Sequence, residues 1–189
     1  MSDHWSLNWM SWLIPVIGYH QIHGGPVYWK SAERGPLVFV WPEESALKGY
    51  QYDPVTHFRT KPAATGPKAP RGMPGGFLSI SANGNQAGLL WATTPFDQDA
   101  LADVVRGVLR VFDANTLEQL WSTDKNTPDD IFSFAKFCPP TIANGKIYLA
   151  TFSDKLNVYG LVSTVFSSPA WTTSGKPPRK GHGHGRVRH

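Results

Sequence analysis

The sequence predicts an all-β fold, and three observations carry that prediction. Glycine (18 residues) and proline (16 residues) are frequent enough to punctuate many short strands. Aromatic residues make up 13% of the chain, a share that suits half-buried pleated surfaces. From residue 22 onward the apolar residues alternate with polar ones or run in short blocks, which is the period of strands and not of helices. At 189 residues the chain can build one domain with a sizeable core. With 17% charged residues its body lacks the composition of a disordered segment.

Residues 1–21 form a Trp-rich leader of different character. Trp5, Trp9 and Trp12 fall on one face of a helix that Ser2 or Asp3 would cap and Pro15 would stop. The stripe suits packing on the chain's own body; as a membrane-surface anchor it lacks lysine or arginine on its polar face. The strand period then begins. Pro26–Trp29 is a short strand, Gly35 marks a turn, and Leu37–Trp41 is apolar enough to be covered on both faces. Ala46–Tyr52 alternates, Asp53-Pro54 turns, and His57–Thr60 supplies a fourth, outer strand. Residues 61–76, with Pro62, Pro67, Pro70 and Pro74, read as loop.

A second unit opens at Phe77–Ser81, turns at Asn83-Gly84 and continues in Gly88–Thr93. An insertion, Pro95 to Arg106, interrupts it; Ala100–Val105 within that insertion suits a helical turn or two. Gly107–Phe112 resumes the sheet, Asp113–Asn115 turns, and Leu117–Trp121 closes the unit. The third unit enters with Phe137–Ile142 and turns at Asn144-Gly145, where both residues tolerate positive φ. It then runs through Lys146–Thr151 and Lys155–Tyr159.

After Leu161 the pattern is lost, and residues 162–189 read as a disordered basic tail. The formal charge of +4 belongs to this tail, through Lys176, Arg179, Lys180, Arg186 and Arg188. The body is therefore close to neutral, and no specific nucleic-acid partner is expected for it. No apolar run reaches the length of a membrane span, and Leu13–Ile17 is broken by Pro15. The start, Met1-Ser2-Asp3, lacks the basic segment of a secretory signal. The single cysteine, Cys138, forms no internal disulfide and leaves the compartment undetermined.

The three units superimpose as sequences. Each has a short opening strand, a glycine turn (Gly35, Gly84, Gly145) and an apolar strand. Each then has Leu-x-x-aromatic: Leu47 to Tyr50, Leu109 to Phe112, Leu156 to Tyr159. Short strands repeating at intervals of roughly 40 residues are the signature of a propeller blade, whose faces are buried only by stacking neighbours. The expectation is a partial β-propeller of about three four-stranded antiparallel blades over residues 22–161, not closed, because closure takes typically 4–8 blades.

The segment Leu109-Arg110-Val111-Phe112-Asp113-Ala114-Asn115-Thr116-Leu117-Glu118-Gln119-Leu120-Trp121 resembles the strand-turn-strand hallmark of pyrroloquinoline-quinone-type (quinoprotein alcohol dehydrogenase-like) propeller repeats. Pro140–Thr151 is similar to the repeat's inner hairpin, and His23–Trp29 and Gly75–Ser79 look like blade openings of the same superfamily. The resemblance implies that Trp121 docks between blades. It also implies an exported or periplasmic parent protein, and a last blade finished by a strand from the N-terminus. The N-terminal segment here does not alternate like a strand, so the chain reads as the C-terminal part of a longer protein or as the product of a truncated reading frame.

Dehydrogenases of that family hold pyrroloquinoline quinone and calcium in a central funnel beside an aspartate base. Asp53 and Asp113 fall at outer turns and read as turn residues. Asp129-Asp130 lacks the further carboxylates of a calcium site. His20-x-x-His23 lacks a third metal ligand, and His182 and His184 sit among tail glycines. No G-x-S-x-G nucleophile motif is present. No catalytic or metal-binding residue is therefore assigned. Residues lining a funnel should precede each opening strand, which points to His23, Met73 and Lys136. The expected function is a non-catalytic repeat unit that packs or binds protein through self-association or further blades. The alternative is the C-terminal segment of a quinone-dependent dehydrogenase, which would need further blades, the quinone and calcium.

Overall fold

Hydrogen bonding in a computed structural model of the chain organises the described residues (21–53, 55, 57–125 and 132–160) into three antiparallel sheets, none closed on itself. The helix expected in the Trp-rich leader, His20, Asp129-Asp130 and the basic tail lie outside the described residues. Each sheet uses consecutive chain, because short turns make the next strand the nearest partner. The first sheet holds β1 (Val27–Ser31), β2 (Gly35–Val40) and β3 (Ala46–Asp53), with β4 (His57–Phe58) and β5 (Ala64–Lys68) both pairing β3. The second holds β6 (Phe77–Asn83), β7 (Gln86–Pro95) and β8 (Arg106–Asp113), with β9 (Gln119–Ser122) and β10 (Phe132–Ser133) sharing the outer edge of β8. The third is β11 (Thr141–Ala143), β12 (Lys146–Ala150) and β13 (Leu156–Gly160).

Three expectations from sequence are corrected. The first two units carry five strands each among the described residues, not four, because the outer strand is split in two; the third carries three. Residues 61–76 are not all loop: β5 pairs β3, and Pro67 is tolerated because β5 lies at the sheet edge. Ala100–Val105 forms no helical turn. The Asp99 carboxylate accepts the Leu101 amide at 2.9 Å, and the Ala100 amide donates to the Met73 carbonyl at 3.2 Å. The Val105 carbonyl accepts the Phe134 amide at 2.8 Å, so both ends of the segment are tied to other parts of the chain. Among the described residues the only helical segment is the 3-10 turn Thr123–Lys125.

The turns behave as their residues dictate. Asn144 (φ 51°) and Gly145 (φ 68°) both adopt positive φ, the signature of a type I′ hairpin. Asp113 accepts the Asn115 and Thr116 amides at 2.8 and 3.0 Å, and Asp53 accepts the Val55 amide at 2.8 Å. Both aspartates are thus turn residues, in keeping with their side-chain chemistry.

The second sheet is covered on both faces. Its even-numbered residues Leu78, Leu90, Ala92 and Phe112 pack with Trp29, Leu37, Phe39, Trp41 and Leu47 of the first sheet and the loop after it. Trp41 meets Phe112 edge-on at 5.6 Å. Trp29 reaches across the junction, where its indole N–H donates to the Gly84 carbonyl at 3.0 Å. Its ring lies against Gly88 so closely that a Cβ there would sit 2.6 Å away. The odd-numbered face carries Trp91, Leu109 and Trp121, which pack with Ile142, Ile147, Leu149 and Tyr159 of the third sheet. Trp121 meets the Tyr159 ring at 6.0 Å, at the junction of the two sheets. The first strands β1, β6 and β11 lie side by side, β6 in the middle.

Tyr50 is buried on the face of the first sheet away from this junction, and burial raises its phenol above the usual 10.0. The unfolded chain therefore ionises first as pH rises. The stability contributed by the neutral phenol is complete below pH 10.0 and is lost as pH climbs through the folded value. Urea titrations between pH 9 and 11.5 should show wild-type stability falling more steeply than that of Tyr50→Phe. Parallel slopes for the two proteins would remove Tyr50 as the cause.

Candidate functional site

The chain segments leading into β1, β6 and β11 meet at one end of the row of first strands. Sequence reasoning placed His23, Met73 and Lys136 on these segments, and the structure links all three. The Met73 carbonyl accepts the Ala100 amide at 3.2 Å, and Lys136 Nζ donates to the Ala100 and Leu101 carbonyls at 2.6 and 3.1 Å. Phe137, the neighbour of Lys136, places its ring 6.5 Å from the imidazole of His23. The three residues thus belong to one cluster, although His23 and Met73 share no direct bond in it.

Each polar group of the cluster has a defined partner. His23 Nε2 lies 3.0 Å from Glu43 Oε2, with both side chains mostly buried. The Glu43 amide donates to the Gln21 carbonyl at 2.9 Å, which holds the segment before β1 against the loop after β2. Glu44 Oε1 accepts the Gly72 amide at 3.1 Å. Asp99 Oδ1 accepts both the Met73 amide at 3.0 Å and the Leu101 amide at 2.9 Å. The Lys136 ammonium is held by carbonyl oxygens, which fixes its position but leaves its charge without a paired carboxylate in this set.

An aromatic group completes the cluster. Phe77 stacks on Phe134 at 6.0 Å and meets Phe137 edge-on at 5.6 Å. Phe137 adopts φ 64° and remains 59% exposed, so a non-glycine residue is held in the left-handed region with its ring in water. Cys138 beside it is a half-buried free thiol. Chemically, the cluster offers one exposed ring and one cation, with its carboxylates engaged by backbone amides or by His23. Among the described residues no three His, Cys, Asp or Glu side chains converge as metal ligands do.

Sequence reasoning missed Glu43, Asp99 and Phe137. Asp99 stands two residues before Leu101 in the insertion, a spacing that suits an Asx turn and was legible as one. Glu43 carries no signal of its partner, because the contact with His23 joins two loops on either side of a hairpin. Phe137 reads from sequence as part of a strand; its positive φ ends that reading. No helix among the described residues is long and apolar enough to cross a membrane. Comparison with models of known protein families, with curated proteins and with solved structures gave no match to this chain.

Proposed function

We propose that the chain is a run of stacked blades of the pyrroloquinoline-quinone-type propeller repeat, and that it works as a non-catalytic packing or protein-interaction module. The observation that carries this reading is the unequal fate of the sheet faces. Both faces of the second sheet are buried by neighbouring sheets. The outer face of the third sheet instead presents Leu156 (61% exposed) and Val158 (51% exposed) beside Tyr148. A blade face of that composition is stabilised by a further protein surface, since exposed apolar area favours association. The side-by-side arrangement of β1, β6 and β11 agrees with the inner strands of consecutive blades.

Light scattering coupled to size-exclusion chromatography is the test. The mass should rise with protein concentration, and Leu156→Lys should lower it toward the monomer. A monomer at every concentration, for both proteins, would overturn the association. Incubation with pyrroloquinoline quinone and calcium, followed by desalting, should leave no quinone absorbance on the protein. Stoichiometric retention would instead favour the dehydrogenase segment.

A further inference from the structure

The three sheets share a cross-strand ladder, on the face toward the next sheet in the first two and on the face away from the second sheet in the third. In the first sheet it runs Val27, Phe39, Gly49, Ala64. In the second it runs Ser79, Trp91, Val111, Trp121. In the third it runs Thr141, Tyr148, Val158, and among the described residues it stops there. The alignment of the last two is fixed by the opposite face, where Ile80, Leu90 and Phe112 correspond to Ile142, Ile147 and Tyr159. Val158 therefore occupies the place of Val111, and the fourth position of its ladder is the place that Trp121 fills in the second sheet.

We propose that the edge of the third sheet beside Val158 is a docking site for an extended strand of another polypeptide, one that sets an aromatic residue opposite Val158 and carries acidic residues at its ends. This rests on the interaction-module reading above and names its partner. The chemistry comes from β9, the strand that fills the equivalent place on β8. Its residues Gln119–Ser122 are uncharged, with Glu118 before them and Asp124 after. Burial lowers the Arg110 guanidinium of β8 from its ordinary range, and the charge of Asp124 opposes that lowering. Thr123 Oγ1 accepts the Leu109 amide at 3.1 Å, which anchors the end of the added strand.

The third sheet repeats the apolar part of this arrangement; Asn157 stands where Arg110 does, and the sheet's cations lie instead at the two ends of β13. Leu156, the counterpart of Leu109, and Val158 are exposed, so the apolar platform is open. β13 itself contains no charged residue, whereas lysine or proline is the usual guard of an open edge. Exposed lysines stand at both of its ends: Lys155 precedes Leu156, and Lys146 pairs across from Gly160. Asp154, in the turn before Lys155, is the acid nearby. A strand running antiparallel to β13, as β9 runs to β8, brings its leading acid toward Lys146 and its trailing acid toward Lys155. Residues 161–189 of this chain contain no aspartate or glutamate and carry five basic residues, the wrong sign for those ends. Residues 1–20 contain a single acid, Asp3, and so cannot set one at each end of an added strand. Charge thus selects a separate, acid-flanked strand, bound by strand addition with its aromatic side chain giving specificity.

A fluorescein-labelled peptide copying residues 117–124 is the probe, titrated into the full chain and followed by anisotropy. Saturable binding is expected, and saturating peptide should return associated chains to monomer mass. Val158→Lys breaks the ladder but keeps the sign of the charge, so its expected weakening of roughly tenfold or more reports the ladder alone. The same loss is expected when the peptide's tryptophan becomes alanine, and a smaller one with Lys155→Glu. Val55→Lys, at an exposed site beside the first sheet, should leave binding unchanged. Three outcomes would overturn the proposal. One is absence of binding while the chain still associates, which leaves the interaction reading intact and makes a second copy the occupant. Another is binding that appears only after deletion of residues 167–189, which makes the chain's own tail the occupant. The last is binding indifferent to Val158→Lys. Failure of the wider reading looks different: a monomer that neither associates nor binds the peptide.

Discussion

Replacing Phe112 by alanine should lower the unfolding free energy by about 3–5 kcal/mol. The ring is completely buried and stands edge-on to Trp41, so it belongs to both halves of the junction between the first and second sheets. Truncation removes its transfer free energy and leaves a cavity. Leu90 and Ala92, fixed in the ladder of β7, cannot collapse into that cavity without breaking strand pairing. In urea the midpoint should fall by about 2 M, given a slope of roughly 1–3 kcal/mol per M. Leu120→Ala is the control, because that side chain is 54% exposed on β9 and should cost under about 1 kcal/mol. A Phe112→Ala midpoint within about 0.3 M of wild type would mean that the two sheets do not depend on this junction.

The second large effect is expected at the loop cluster. Gly75 has φ 83°, and a Cβ there would lie 2.5 Å from the Trp41 carbonyl oxygen, 2.7 Å from the Pro42 carbonyl carbon and 2.8 Å from the Glu43 amide nitrogen. All three obstacles are backbone, so no rotamer change relieves them. The left-handed conformation costs an alanine about 1–2 kcal/mol and the crowding about 1–3 kcal/mol more. The adjacent bond, from the Gly76 amide to the Trp41 carbonyl at 3.0 Å, is expected to break. Gly75→Ala should therefore lower stability by about 2–5 kcal/mol and release the segment before β6 from the loop that carries Glu43. Gly25 has nothing within 4 Å of its would-be Cβ, so Gly25→Ala should be nearly silent. Hydrogen exchange resolves the two: faster exchange at Gly76 and Glu43 in the Gly75 variant, and no change in the Gly25 variant. Equal stability of the two variants would contradict the steric account.

Much of the fold was legible because it is local. The Asn144-Gly145 hairpin, the aspartate turns and the alternating strands follow from residue chemistry over a few positions. What escaped was decided at a distance. Pro67 reads as a strand breaker, and only its place at the edge of β3 permits β5. Ala100–Val105 has helical composition, but its two ends are bonded to distant backbone, Ala100 to the Met73 carbonyl and the Val105 carbonyl to the Phe134 amide. Alternation distinguishes the two faces of a strand without saying which is covered, so the burial of Leu90 and the exposure of Val158 could not be separated by pattern. His23, Met73 and Lys136 were singled out by a shared position before each first strand. Their partners Glu43 and Asp99 come from elsewhere in the chain and carry no such mark.

Sheets made of consecutive chain also set an order of events during synthesis. The first sheet can pair its strands as soon as Lys68 has emerged, without waiting for later sequence. The face bearing Leu37 and Phe39 begins to be covered by Leu78 and Leu90 of β6 and β7 and is completed only when β8 delivers Phe112, roughly 45 residues later, or about 2–9 s at ordinary translation rates of ~5–20 residues per second. During that interval a nascent chain is a paired sheet with a partly wet apolar face. A holdase acting on this protein would meet that surface first.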